Sequence, residues 1–328
     1  MRRCVPDKMK HFVALGLIVF GALACSTLAQ WTAPKKEAVT TTPPAFAAVE
    51  KDFWQAFHYN KFEDIPQLLQ RFKAIYVEYP GHGLTAARIG FLHTWRLAER
   101  RRMDPIPAEV ISDATLCQKF FQEGSQLNPK DARFKGFWAS CILAEADIHQ
   151  DEKNLRKGYF MMKDAIHDWP EFNYFTAGYV LSNQDWDSDL FQEAIDWQWS
   201  NLDACSGEEI SRTAPDYSPY MKNVVKEGQK RACWNSAIVP HNFEGFFLNM
   251  GDMLVKKGDV EVAKKIYATA KLSPDYKTWP YRQLLEDRIS NAEKNVAAFR
   301  KKLANNEQAK PTIMFNSEFA CMACHRKE

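Results

Sequence analysis

Residues 246–275, FFLNMGDMLVKKGDVEVAKKIYATAKLSPD, are the stretch that decides the expected fold of this chain of 328 residues. Small and large residues alternate in it at helical spacing, at Phe247, Gly251, Leu254, Gly258, Ala263, Tyr267, Ala270 and Pro274. The small side chains let two antiparallel helices approach closely, and the large ones fill the space between neighbours. Gly258 is typical of a helix end, and Pro274 stops a second helix. The stretch therefore predicts a helical hairpin.

This spacing resembles the tetratricopeptide repeat, with the proline one residue early. Looser copies of the second half of the pattern lie at 68–80, 117–129 and 158–170. Helical periodicity continues from about residue 50, and no segment alternates as a strand would. The resemblance implies an all-α, TPR-like α-solenoid of about five helix pairs over residues 50–275. A plain α-helical bundle is the alternative fold.

Three further segments complete the expected domain organisation. Residues 276–305 predict a polar helix that caps the array. Residues 205–233 form a long, turn-rich insertion between two cysteines. Residues 306–328 form a C-terminal tail.

The N-terminus has the pattern of an export signal. A basic stretch, MRRCVPDKMK, precedes an apolar run at 12–24, which is too short to span a bilayer comfortably. Residues 1–24 are therefore expected to be a signal peptide. The run ends in ALAC, which resembles a bacterial lipobox and implies lipidation of Cys25. Cleavage before Cys25 or after Ala29, or an uncleaved anchor, are the alternatives. Residues 25–49, rich in Thr, Ala and Pro, predict a flexible linker.

Export makes disulfides plausible for the four cysteines of the array. We favour Cys117–Cys141, because the two lie at similar distances on either side of a turn near Pro129. We also favour Cys205–Cys233, which would close the insertion at its base. The other pairings and four free thiols remain alternatives.

The tail contains the one motif with specific chemistry, CMACH at 321–325. It resembles the C-x-x-C-H attachment site of c-type cytochromes. The resemblance implies one covalent haem c, with Cys321 and Cys324 forming thioethers and His325 binding the iron as proximal ligand. A zinc site, a thioredoxin-like redox pair and a strained disulfide are the rival interpretations.

The ligand on the other side of the iron is not specified by the motif, because only three residues follow His325. Met314 in the tail and His241 at a helix entry are the candidate sixth ligands. Five more histidines are weaker candidates: His58, His82, His93, His149 and His167.

We therefore expect an exported monohaem c-type cytochrome that transfers electrons to or from a partner protein. It would be held by a lipid anchor in the periplasm or at the outer membrane of a Gram-negative bacterium. The net charge of +2 includes the basic N-terminus, so nucleic acid is not an expected partner. A haem peroxidase, a gas or redox sensor with an open sixth position, and a non-redox periplasmic scaffold are the alternatives. No sequence motif identifies a catalytic residue, so an electron carrier is favoured over an enzyme.

Overall fold

Residues 38–328 form one unit, to which every element below belongs. The computed structural model describes residues 32–234, 238–301 and 311–328. The signal peptide at 1–24, Cys25, the start of the linker and residues 306–310 of the tail lie outside the described residues.

Thirteen α-helices and no strand occur among the described residues. They are α1 Phe46–His58, α2 Ile65–Glu78, α3 Gly83–Ala98, α4 Val110–Leu127, α5 Ala132–His149, α6 Glu152–Asp168, α7 Pro170–Leu181, α8 Asp189–Ser206, α9 Asn242–Lys257, α10 Val260–Thr269, α11 Arg282–Ser290, α12 Ala292–Arg300 and α13 Met322–His325. The all-helical class expected from the periodicity is confirmed.

Each helix from α1 to α10 packs against the next one along the chain. Most connections between them are short, which is typical of antiparallel neighbours. This packing is compatible with a helical repeat array.

The pair α9–α10 shows how small residues position helices. Gly258 follows α9 with a φ of 107°, a left-handed conformation that favours glycine. A Cβ on Gly251 would overlap the ring of Tyr267 on α10, so this contact requires glycine. The Tyr267 hydroxyl donates to Oδ1 of Asp252 at 2.7 Å.

The expected boundaries need two corrections. Helix α1 begins at Phe46, inside the predicted linker, because Phe46 and Val49 bury their side chains in the core. The single capping helix expected over 276–305 is divided into α11 and α12 at Asn291. The Asn291 side chain donates to the carbonyl of Asp287 at 3.0 Å, and such local bonds compete with a continuing helix.

Two disulfides strengthen the array, and they are the pairings favoured above. Cys117–Cys141 joins α4 to α5 with a Cα–Cα distance of 5.9 Å. Cys205–Cys233 joins the end of α8 to the far end of the insertion, at 5.5 Å. The insertion has little regular structure, yet Tyr217 and Met221 in it are buried.

The hydrophobic core has three clusters. Helices α1 to α3 surround the N-terminal cluster, α3 to α5 form a smaller middle cluster, and α5 to α12 contribute to the larger C-terminal cluster. The tail belongs to two of them, because Met322 packs in the N-terminal cluster and Ala323 and Cys324 in the C-terminal cluster. The CMACH segment is thus built into the core.

Candidate functional site

The C-terminal half of the array holds one side of the tail. The Met314 N–H donates to Oδ2 of Asp252 at 3.0 Å. The Trp279 indole donates to the carbonyl of Ala323 at 2.7 Å, and the His241 N–H donates to the carbonyl of Cys324 at 2.9 Å. These bonds satisfy backbone groups that would otherwise be buried without partners.

The N-terminal helices hold the other side. The Lys327 N–H donates to the carbonyl of His58 at 2.7 Å. The ring of Phe57 lies 4.5 Å from the imidazole of His325, centroid to centroid. Backbone amides of Cys321 and Met322 bond the carboxylate of Glu99 at the end of α3. The tail therefore joins the first helix of the array to its last pair.

The structure brings the three motif residues together in a buried setting. Cys321 and Cys324 are free thiols. Burial raises the pKa of the Cys321 thiol well above its ordinary value, with the Glu99 charge adding to the effect. Burial raises the pKa of Cys324 to about 12. Both thiols are therefore protonated at neutral pH, and a protonated thiol reacts more slowly with oxidants than a thiolate does.

The imidazole of His325 is neutral in this environment. Burial lowers its pKa to about 3, and the nearby charge of His58 acts in the same direction. A neutral imidazole is the form that binds a metal. Its Nδ1 is buried and has no hydrogen-bond partner.

The motif lies on the wall of a large, mostly apolar cavity of about 890 Å³. Small-molecule sites of about 300–1,000 Å³ are typical in proteins, so the cavity is large enough for a cofactor. Its aromatic walls come from both halves of the array and include Phe53, Phe57, Trp95, Phe175, Phe246 and Phe315. Such walls would exclude water from a flat, apolar macrocycle.

Unpartnered polar atoms show that the cavity wall is incomplete by itself. Three side chains that line it have a buried polar atom without a partner: His325 at Nδ1, Tyr179 at its hydroxyl and Glu171 at Oε2. Each such atom costs about 1–3 kcal/mol unless a bound group or water satisfies it. Two thiols, a neutral imidazole, apolar walls and sufficient volume together fit a haem.

Cationic side chains also line the cavity, among them Arg88, Arg133 and Arg231. Arg88 Nε donates to Glu50 at 2.9 Å, and Arg133 is paired with Asp131. The guanidinium of Arg231 lies 4.0 Å over the ring of Trp169. Guanidinium groups bind carboxylates well, so these side chains suit the propionates of a haem.

Only one of the two candidate sixth ligands lines the cavity. Met314 lines the cavity and is 1% exposed. His241 is buried but is not among the cavity-lining residues, and its Nδ1 lies 3.2 Å from Glu244. His241 thus supports the tail through its backbone, whereas Met314 shares the cavity wall with His325.

The other histidines do not line the cavity. His93 contacts Asp113 at 2.7 Å, and His82 contacts Thr85 at 2.7 Å. His58 lies behind His325, its ring nearly parallel at 6.3 Å, and bonds the carbonyl of Ile238.

Two further residues of the site have no recognisable signal in the sequence. Glu99 stands in ERRR, a pattern that predicts only a helix C-terminus, and its contact with Cys321 spans 222 positions. Tyr179 lies among several aromatic residues of α7 that are indistinguishable by spacing from ordinary core residues.

Comparison with known proteins adds no family assignment. The chain matches no protein-family model, no curated protein and no solved structure. Within the described residues, no helix is both long and apolar enough to cross a membrane. No group of three or more His, Cys, Asp or Glu side chains suited to a metal ion occurs in that same part of the chain.

Proposed function

We propose that this protein is an exported monohaem c-type cytochrome that transfers electrons to or from a partner protein. One observation carries the proposal: both thiols and the imidazole of the C-x-x-C-H motif lie on the wall of one apolar cavity. Most of the residues that line this cavity come from the helical array and not from the tail. The helical array supports the proposal by supplying the walls.

The residues of the chain have separate tasks in this proposal. Cys321 and Cys324 would hold the haem through thioethers, and His325 would bind the iron. Met314 is the favoured sixth ligand, and the cavity arginines would pair with the propionates. The haem, when bound, supplies one-electron chemistry at its iron. The apolar walls exclude water and keep competing reactions away from it.

The array itself is proposed to be a TPR-like solenoid that binds a redox partner. Sequence-adjacent helices that stack in pairs support this interpretation, and such arrays commonly present extended protein-binding surfaces. A lipid on Cys25 would anchor the protein at a periplasmic membrane surface. The two disulfides are consistent with an oxidising compartment.

The test is expression in a host that contains the cytochrome maturation machinery. We expect a haem-staining band that survives denaturing electrophoresis, and an absorbance change on reduction with dithionite. The matched control is the double variant C321A/C324A, which should fold but lose covalent haem completely. Purified wild-type protein without covalent haem would overturn the proposal.

A second candidate function is supported by Tyr179. Its buried hydroxyl has no partner and lines the same cavity, so it could donate to a ligand on the iron. Peroxide or diatomic-gas chemistry at an open sixth position would use such a donor. A high-spin spectrum that binds cyanide or carbon monoxide readily would favour this function. A low-spin, six-coordinate spectrum that becomes high-spin in M314A favours electron transfer.

A further inference from the structure

Glu99 is a buried carboxylate that contacts the haem-attachment segment directly. It follows α3 and is 0% exposed. Its Oε1 accepts hydrogen bonds from the N–H groups of Cys321 at 2.8 Å and Met322 at 3.0 Å. The first turn of a helix leaves such amides without intrahelical partners, so the carboxylate acts as an external cap for α13.

The other oxygen of Glu99 connects this cap to the rigid array. Oε2 accepts from the indole of Trp95 at 2.9 Å and from Nη1 of Arg102 at 2.9 Å. Arg102 is itself held by Oδ1 of Asn60 at 2.6 Å and lies 4.4 Å over the ring of Phe62. The cap therefore has a fixed position before anything binds in the cavity.

The hydrogen-bond donors around Glu99 favour its ionised form. Four N–H groups point at its two oxygens, and none of them offers an acceptor for a carboxylic proton. Burial raises the pKa of Glu99, while the bonds from Trp95 and Arg102 oppose that effect. A fixed negative charge thus lies beside the thiols, and a fixed positive charge lies directly behind it.

The motif segment needs this support because it is short. Helix α13 has four residues, and an isolated helix of that length does not form in water. Its conformation must come from contacts with the rest of the chain. Glu99 supplies two of those contacts, at the first two residues of the motif.

We propose that Glu99 is a positioning residue for the haem: it sets the conformation of the attachment segment and its charge lowers the reduction potential of the iron. The potential falls because oxidised haem carries one more positive charge than reduced haem, and a nearby carboxylate stabilises the oxidised form. Charges act more strongly in a dry interior than in water. Arg102 has the opposite sign and opposes the effect. This inference rests on the proposed function for its redox part only.

Two variants test the redox part in the haem-loaded protein, one that removes a negative charge and one that removes a positive charge. E99Q keeps the size of the side chain, removes the negative charge and should move the midpoint potential to a more positive value. R102Q keeps a donor toward Glu99, removes the positive charge and should move the potential to a more negative value. The control is E261Q, which makes the same charge change at a side chain that is 84% exposed, and should leave the potential unchanged.

The positioning part is tested without haem, by amide hydrogen exchange in the full chain. E99Q should lose protection at the amides of Cys321 and Met322 by at least about tenfold, because Gln presents a donor where Trp95 and Arg102 also donate. R102Q should lose less protection there, since both amides keep their acceptor. If E99Q does not fold, the shift of the midpoint potential in R102Q still tests the redox part. Amide hydrogen exchange at Cys321 and Met322 in R102Q still tests the positioning part.

The outcomes are distinguishable from failure of the proposed function. A protein without covalent haem ends the redox part and the proposed function together, while the exchange result stands on its own. The inference is overturned if E99Q and R102Q both match the potential of E261Q, or shift it in the same direction. Unchanged protection of the Cys321 and Met322 amides in E99Q overturns the positioning part.

Discussion

Helix α9 packs against two segments of very different origin, and its two glycines show the difference. Gly251 leaves room for the ring of Tyr267 on α10, the next helix in the chain. Gly245 leaves room for Cys324, and a Cβ there would also lie 3.1 Å from the Cys324 amide nitrogen. The first contact forms a hairpin, whereas the second docks the far end of the chain. One physical device, a helical glycine under a bulky neighbour, therefore serves both the fold and the site.

The two contacts differ in what else supports them. The hairpin contact is local, so its partner is brought close by a short turn. The tail contact is assembled from α1, α3, α9 and the residues after α10 at once. A local contact is stabilised mainly by its own packing, while the docked tail depends on several elements that must already be in place. Variants that separate the two kinds of contact measure this difference.

Asp252 contacts both the hairpin and the tail, and its substitution should lower the free energy of unfolding the most. Its Oδ1 accepts from Tyr267 at 2.7 Å and Arg288 at 3.0 Å, and its Oδ2 accepts from the Met314 N–H. D252N leaves Arg288 buried without its charge partner, which costs about 3–5 kcal/mol. Urea denaturation should show this loss. The control D196N, at an exposed carboxylate, should stay within about 0.5 kcal/mol of wild type.

The two disulfides should have similar effects on stability but different effects on the tail. Each should contribute about 2–4 kcal/mol. Only Cys205–Cys233 lies next to the start of α9, because Trp234 packs 5.2 Å from Phe243. C205A/C233A should therefore speed amide exchange of the tail, while C117A/C141A should not. Equal exchange of the tail in both variants would show that the insertion does not support the site.

Features that depend on residues close together in the chain could be predicted from the sequence. The α9–α10 hairpin, its left-handed Gly258 and the all-helical class followed from local spacing. The favoured disulfide pairings also came from local reasoning, since each links segments joined by one turn or one insertion. Boundaries were less predictable: the expected capping helix is divided at Asn291, whose side chain shares the Asp287 carbonyl with its own backbone N–H.

The candidate site was predictable only as a motif. The spacing of the motif identifies Cys321, Cys324 and His325. Nothing in the sequence links them to Glu99 or Gly245. Such contacts join residues far apart in the chain, 222 positions for Glu99 and Cys321, and no local pattern encodes them. The two sixth-ligand candidates show the same limit, because Met314 and His241 were equal in sequence and only the structure places Met314 at the cavity.

Substitution of Gly251, the glycine of the hairpin, should cause the next largest loss in the free energy of unfolding. A methyl group at position 251 must displace Tyr267, and overpacking of this kind costs about 1–3 kcal/mol. Alanine recovers somewhat less than about 1 kcal/mol through its better helix propensity, so G251A should still be destabilised. Urea denaturation measures the balance. A G251A protein as stable as wild type would mean that Tyr267 can move aside freely.

The glycine beneath the tail should have the smallest effect on stability and the clearest effect on the site. In G245A the new methyl group meets the Sγ of Cys324, and the cheapest response is movement of the tail, not of α9. Alanine also favours the helix, so the free energy of unfolding should change by less than about 0.5 kcal/mol. Exchange at the His241 amide, which bonds Cys324, should rise, and the yield of covalent haem should fall. If G245A instead loses as much stability as G251A, the tail contact contributes as much to the free energy of unfolding as the hairpin contact, and the division drawn from these two glycines is wrong.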